Sequence, residues 1–226
     1  MNHVELANKI LLLKEQETQF KPTFLSNELA FKMSENFYKD TLNQNEKELK
    51  GKIKYVFSKE LMEYNGKCMI TSIGYDGSKK VTIILPEEQT VRKIITLSHE
   101  KAHAYHMLKG YETSEFIPSF MDILNSIYLD KEYPGIKVDN LNYKIRQAQK
   151  AAKVYLRYYK RKNVEDQVNY MTDFLNSLYL IQAYLSKKQS QVINEVSLQL
   201  NKEQKAKRIY TDDFEVEKAI EFIIKK

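Results

Sequence analysis

The chain has 226 residues, with 36 Lys plus Arg against 30 Asp plus Glu and a net charge of +6, long enough for one domain with a substantial core. Its single cysteine, Cys68, excludes an intramolecular disulfide and points to a reducing compartment. No run approaches eighteen consecutive apolar residues, which excludes an ordinary membrane-spanning helix, and the basic excess of a Lys-rich chain reads as solvated surface rather than a nucleic-acid face.

Six Gly and four Pro are few for this length, so long helices are expected. Residues 3 to 19 predict a first helix. The start, with His3, Glu5, Asn8 and Lys9 before Ile10-Leu11-Leu12-Leu13, lacks the basic leader and small-residue cleavage site of an export signal, so a cytoplasmic protein is the expectation. Pro22 interrupts the pattern, and Ser26 offers an N-cap for a second helix. In that helix Leu29, Met33 and Phe37 recur every four residues and predict a buried stripe. Asn43 to Gly51 is polar and ends it. Residues 52 to 64 mix alternation at Ile53, Tyr55 and Phe57 with helical spacing, so strand and helix both stay open there.

From Lys67 the chain turns β-rich. Met69-Ile70-Thr71-Ser72-Ile73 and Val81-Thr82-Ile83-Ile84-Leu85 flank Asp76-Gly77, a pair that favours a hairpin. Pro86 closes the second strand, and a helix is predicted from about Glu88 to Leu108. Gly110 is a natural helix stop, and Thr113 or Ser114 a natural N-cap for a helix running through Glu115 to Leu129. Beyond Pro134-Gly135, helix follows helix. Leu141, Ile145, Ala148, Ala152, Tyr155 and Tyr159 mark one stripe, and Val164, Val168, Met171, Leu175 and Leu178 the next. Val192, Val196 and Leu200 suggest another, and Val216, Ile220 and Ile223 a last. The expected fold is mainly α with a small antiparallel β-sheet, one domain over residues 1–226. Within it, 1–50 and 139–226 form helical parts around a central part at 66–130.

That central part holds His99-Glu100-Lys101-Ala102-His103-Ala104-Tyr105-His106, three of the chain's four histidines, in the pattern HExxH. On a helix, His99 and His103 lie one turn apart with about 6 Å between Cβ atoms, so both imidazoles can converge on one metal ion. Glu100 then points beside the metal, where a general base can take a proton from a zinc-bound water. A zinc used for hydrolysis takes three protein ligands and keeps one position open. If the helices around Gly110 form an antiparallel hairpin with its midpoint near residue 109, positions 103 and 115 face each other. Glu115 is therefore the expected third ligand, with Glu112, closer to the turn, as the alternative. Ser119 and Asp122 share the helix face of Glu115, and either could accept the second ring proton of a liganding histidine and fix its tautomer. His106 is kept out of the ligand set, since a fourth ligand would close the site.

These residues resemble the thimet oligopeptidase and oligoendopeptidase F family of zinc metallopeptidases over residues 66 to about 130. Gly66-Lys67 opening the hairpin, Ile83-Ile84-Leu85, and Ile95-Thr96-Leu97-Ser98-His99-Glu100 are similar to that family's run from a glycine-bearing hairpin into its metal helix. His99, His103 and His106 match its HExxHxxH pattern, and Glu115 to Asp122 its second motif, in which the leading Glu binds zinc. The chain departs from the family in carrying Ala102 where a glycine is usual and a shorter interval of eleven residues between His103 and Glu115. The resemblance implies a zincin-like fold, one zinc ion, and hydrolysis of peptide bonds in oligopeptides, with a peptide aligned as an added strand along Val81 to Leu85. It also implies transition-state contacts from a carboxy-terminal histidine and tyrosines. No histidine follows His106, so Tyr170, Tyr179 and Tyr184 are the candidates, and Tyr179 is the expected oxyanion donor.

Two other function classes remain open. One is a regulatory metalloprotease acting on a specific partner protein, as in phage-repressor-cleaving enzymes with a similar TLxHE run. The other is a degenerate zincin that binds metal or peptide without turnover. The basic, aromatic stretch Lys150 to Lys162 reads as a solvated face with Tyr155 and Tyr159 on its buried edge, so no nucleic-acid partner is expected. Cys68 has no basic or histidine neighbour in sequence and is not expected to be a nucleophile.

Overall fold

The structure is a computed structural model that describes residues 3–15, 25–44, 49–61, 66–87, 91–110, 114–134, 137–159, 165–185 and 189–201. Its helices are α1 (His3–Leu11), α2 (Asn27–Leu42), α3 (Val91–Lys109), α4 (Phe116–Glu132), α5 (Lys137–Tyr159), α6 (Glu165–Leu185) and α7 (Gln189–Asn201), and its strands are β1 (Ile53–Ser58), β2 (Lys67–Ile73) and β3 (Lys79–Pro86). The chain is thus mainly helical with one small sheet, as its sequence predicts. Among the described residues no helix is long and apolar enough to cross a membrane.

The sheet corrects the expectation of a purely antiparallel one. Strand order is β1-β3-β2, with β2 antiparallel and β1 parallel to β3, in register from Ile53 opposite Val81 to Ser58 opposite Pro86. The undecided segment is therefore a strand. Its aromatic side chains settle the matter by packing: Phe31 of α2 meets Tyr55 edge-on at 4.7 Å and Phe57 at 6.2 Å, contacts that a β-branched or aromatic strand can offer along one face. A second correction follows from the order. β3 is paired on both sides, so Val81 to Leu85 cannot take up an added strand, and the edge strand on the side of the hairpin is β2.

The hairpin forms as predicted, with Gly77 at φ +78° and Ser78 N–H donating to Asp76 Oδ1 at 2.9 Å. Ser26 caps α2, its hydroxyl accepting from Leu29 N–H. Met33 and Phe37 are buried along that helix, but Leu29 is 41% exposed; the inward face is rotated toward Ala30, Ser34 and Tyr38. α1 ends at Leu11, shorter than predicted, and residues 16–24 lie outside the described residues. Leu141, Ile145, Ala148, Ala152, Tyr155, Leu178, Val192 and Val196 are buried as expected. Tyr159, Val164, Val168, Met171, Leu175, Leu200 and the predicted last helix at Val216, Ile220 and Ile223 lie outside the residues whose side chains are described.

α3 occupies the centre. It is buried on nearly every face, with Ile94, Ile95, Leu97, Ala102, Ala104 and Tyr105 all at 0–1% exposure, as a helix packed all round requires. Leu97 and Ala104 meet the sheet through Val81, Ile83 and Leu85, while Tyr105 stacks on Tyr38 at 5.9 Å. α3 stops at Lys109 because Gly110 takes φ +78°, a left-handed value that costs glycine nothing.

Polar contacts set the rotation of this helix. Tyr38 Oη–H donates to the Ser98 carbonyl at 2.7 Å, and Asn125 of α4 donates from Nδ2 to Ser98 Oγ at 2.8 Å and to the Ile94 carbonyl at 3.3 Å. Lys101, fully buried, donates to Ser34 Oγ and sits over the Tyr38 ring at 5.7 Å. At the other end, Lys93 reaches Asn27 Oδ1 and the Glu87 carbonyl and lies 4.9 Å from the Phe57 ring centre. Each buried donor left without its partner would cost about 1–3 kcal/mol. Asn125→Ala should therefore lower unfolding free energy by about 1–3 kcal/mol, read from denaturant midpoints, because the Ser98–Ile94 turn loses its described hydrogen bonds to an α4 side chain. Asn125→Ala with an unchanged midpoint would show that this clamp contributes nothing.

Candidate metal centre

Two elements bring the site together. α3 presents His99 and His103 one turn apart, and α4, returning antiparallel after Gly110, presents Glu115 and Asp122. The register expected from the turn holds: His103 Nε2 lies 3.4 Å from Glu115 Oε1, and His99 Nε2 lies 3.2 Å from Glu115 Oε2. The two Nε2 atoms are 3.2 Å apart. His99, His103 and Glu115 form the group among the described residues that could hold a metal ion. Glu112, the alternative, lies outside the described residues.

The start of α4 differs from the expected cap. Thr113 lies outside the described residues, and the capping position is Glu115 itself, with helical φ −86° and ψ −4° and no side-chain cap. Ser114 Oγ makes only a 3.4 Å contact to Phe116 N–H. Pro118 in the first turn costs no intrahelical bond, because the amides there have no partner within the helix. The Glu115 carboxylate is thus free to turn toward the imidazoles.

The donor atoms lie close enough for one ion. With metal–ligand distances of about 2.0–2.1 Å, two ligands of a tetrahedral zinc are about 3.3 Å apart. The two Nε2 atoms are 3.2 Å apart, and each meets a different oxygen of the Glu115 carboxylate, at 3.2 and 3.4 Å. With one donor atom from each residue, all three lie within 4.8 Å of one another.

Electrostatics point the same way. Asp122 Oδ2 lies 3.0 Å from His99 Nδ1 and accepts that ring proton, so the neutral ring keeps its lone pair on Nε2. That lone pair faces Glu115 Oε2, which is buried and makes no aligned hydrogen bond. Lone pair against lone pair repels unless a proton or a cation lies between them. Burial alone would favour the neutral ring of His99, but the charge of Asp122 and then Glu115 outweighs it and holds the pKa well above the ordinary histidine value. Burial likewise opposes ionisation of Glu115, yet His103 and His99 hold its carboxyl well below the usual range. For Asp122 burial prevails over His99 and the pKa rises.

Glu100 stands beside the triangle, not in it. It is 5% exposed, and its Oε2 has no hydrogen-bond partner among the described residues. Burial raises its pKa, opposed by His99 and His103. Gly66, just before β2, presses on it: a Cβ there would lie 2.5 Å from Glu100 Cγ and Oε1 and 2.7 Å from Thr96 Cγ2. Only the absence of a side chain allows that approach.

The remaining expected residues sort clearly. His106 is buried further along α3, outside the three-residue group. Ser119 is buried in α4, where its amide bonds the Glu115 carbonyl. Cys68 lies 3.7 Å from Met107 Sδ, and burial together with the charge of Glu100 pushes its thiol up to about 12, which suits no nucleophile. Tyr170 and Tyr179 stand on α6 with side chains outside the described residues; the Tyr184 hydroxyl accepts from Gln189 Nε2. Sequence reasoning missed Asp173 of α6, whose Oδ2 accepts the Glu115 backbone N–H at 3.1 Å. No local signal announces a partner 58 residues away.

No family model matches the chain, no curated protein matches it, and no solved structure matches it. What the centre can hold follows from its own geometry, a two-histidine, one-carboxylate donor set suited to a divalent ion.

The raised pKa of His99 gives the centre a pH signature. Without metal, the folded chain binds this proton more tightly than the unfolded chain, a contribution complete below the ordinary value of 6.5 and lost as pH rises through the higher folded value. Zinc requires the deprotonated ring and gains as the proton leaves. The rise in melting temperature on adding excess zinc should therefore be larger at about pH 8 than at about pH 6, measured by calorimetry. An equal rise at both would mean that proton and metal do not compete.

Proposed function

We propose that this chain is a zinc-dependent metallopeptidase that hydrolyses peptide bonds in oligopeptides. The observation that carries the reading is the convergence of His99 Nε2, His103 Nε2 and the Glu115 carboxylate within 4.8 Å of one another, with buried Glu100 next to His99 on the same helix. A zinc ion on these three ligands would polarise the scissile carbonyl and lower the pKa of water at the open position. Glu100 would take the proton of the attacking water and deliver it to the leaving amine, a task favoured by a carboxyl whose pKa burial raises above the ordinary value. Asp122 holds His99 in the tautomer that offers Nε2.

The peptide would lie along β2, the edge strand that packs against α3 and begins one residue after Gly66. Main-chain pairing on that edge would carry an extended segment past Glu100, which favours a flexible peptide over a folded protein. For the oxyanion, Tyr179 of α6 is the donor we carry forward from the resemblance, since α6 packs against α4.

Glu100→Gln should reduce turnover of a mixed oligopeptide pool by about 10²-fold or more while zinc affinity stays within a few-fold of the parent. Turnover retained by Glu100→Gln, or by protein stripped of metal, would refute the assignment, and zinc bound without any peptide cleavage by the parent chain would indicate a binding protein instead. Gly66→Ala should act in the same direction, since the added methyl must displace Glu100: turnover falls and zinc affinity does not. Unchanged turnover in Gly66→Ala would show that the position of Glu100 is not critical.

A further inference from the structure

We propose that Asp173 is a positioning residue for the metal-binding carboxylate, a role that rests on the reading of His99, His103 and Glu115 as a metal centre. Glu115 sits at the capping position of α4 in a helical conformation and makes no side-chain bond to the first amides of its own helix. Its carboxylate faces the two imidazoles, and its backbone N–H donates to Asp173 Oδ2 at 3.1 Å.

Asp173 therefore does two things for one residue. The charge-assisted bond fixes the main chain of Glu115 against α6, an element outside the α3–α4 hairpin, so the ligand's Cα does not swing with the turn that precedes it. It also places a negative charge at the positive end of α4. The main chain of Glu115 is thus held from α6 while its carboxylate faces the imidazoles.

The test is zinc affinity by chelator competition, with cobalt(II) absorption as a second readout of ligand geometry. Asp173→Ala should weaken zinc binding about 10–100-fold and lower the intensity of the cobalt bands, and Asp173→Asn, which keeps an acceptor oxygen in place, should recover most of the loss. In a Glu115→Gln background, Asp173→Ala should change affinity less than twofold, because its effect passes through Glu115. If Asp173→Ala does not fold, Asp173→Ser, too short to reach the amide, serves in its place. A parent chain that binds zinc while Asp173→Ala binds it equally well would overturn the proposal, whatever happens to melting temperature. So would a loss of equal size in the Glu115→Gln background. A parent chain that binds no zinc would remove the metal centre itself, and this role with it.

Discussion

Everything in the centre depends on one pairing: two carboxylates of α4 held against two imidazoles of α3 in a space where water cannot screen them fully. Glu115, Asp122 and Glu100 bring three acidic groups close to rings that are neutral at physiological pH unless perturbed. Their pKa values show the strain of that arrangement. Burial raises Glu100 and Asp122, with Glu115 adding to both, while the imidazoles work against it. A single proton on His99 relieves part of the imbalance. A divalent cation at the centre of the triangle would relieve more, and would satisfy the inward lone pairs of three donors at once.

That pairing would be useless if α3 turned. A rotation of one residue moves each side chain by about 100°, enough to carry both histidines away from α4. Apolar contacts tolerate such slippage better than hydrogen bonds do, and α3 is buried almost all round. The polar groups behind the histidines supply what the apolar ones lack. Tyr38 and Asn125 grip Ser98 and Ile94 from two different helices, immediately before His99. Lys93 and Lys101, buried at 2% and 0% exposure, extend the same principle along the helix. Burying an ammonium group is costly, and a helix with two of them has few alternative orientations in which both would find partners.

What was legible in the sequence was local. The spacing of His99 and His103, the stop at Gly110 and the return of Glu115 lie within one helix–turn–helix, where periodicity and a turn determine who meets whom. The Asp76-Gly77 hairpin is local in the same sense. The misreadings concern partners distant in the chain. Ile53, Tyr55 and Phe57 alternate as a strand should, but their parallel pairing with β3 spans the whole intervening hairpin, and no adjacent residue encodes it. Once β1 takes that edge of β3, the open edge passes to β2. Leu29 fits the stripe of α2 by spacing, yet the face that packs inward is rotated by one residue toward Ala30, a choice that the helix's distant partners make. Asp173 could not be found because what it binds is a backbone amide, which carries no residue signature.

The two glutamates of the centre differ in their electrostatics. Both carboxylates feel the same two histidines, and composition alone cannot separate them. Their surroundings can. Glu115 lies against both Nε2 atoms, and the contacts hold its carboxyl ionised far below the usual range, as a ligand requires. Glu100, one residue round the helix from His99, gains less from the imidazoles than burial takes away, and its pKa rises. A carboxylate that ionises readily makes a poor proton acceptor near neutral pH, and one held up by burial makes a good one. Gly66 sharpens the contrast, since the backbone ahead of β2 presses directly on Glu100 and confines it. The edge strand β2 and the position of Glu100 are thus set by the same short stretch of chain.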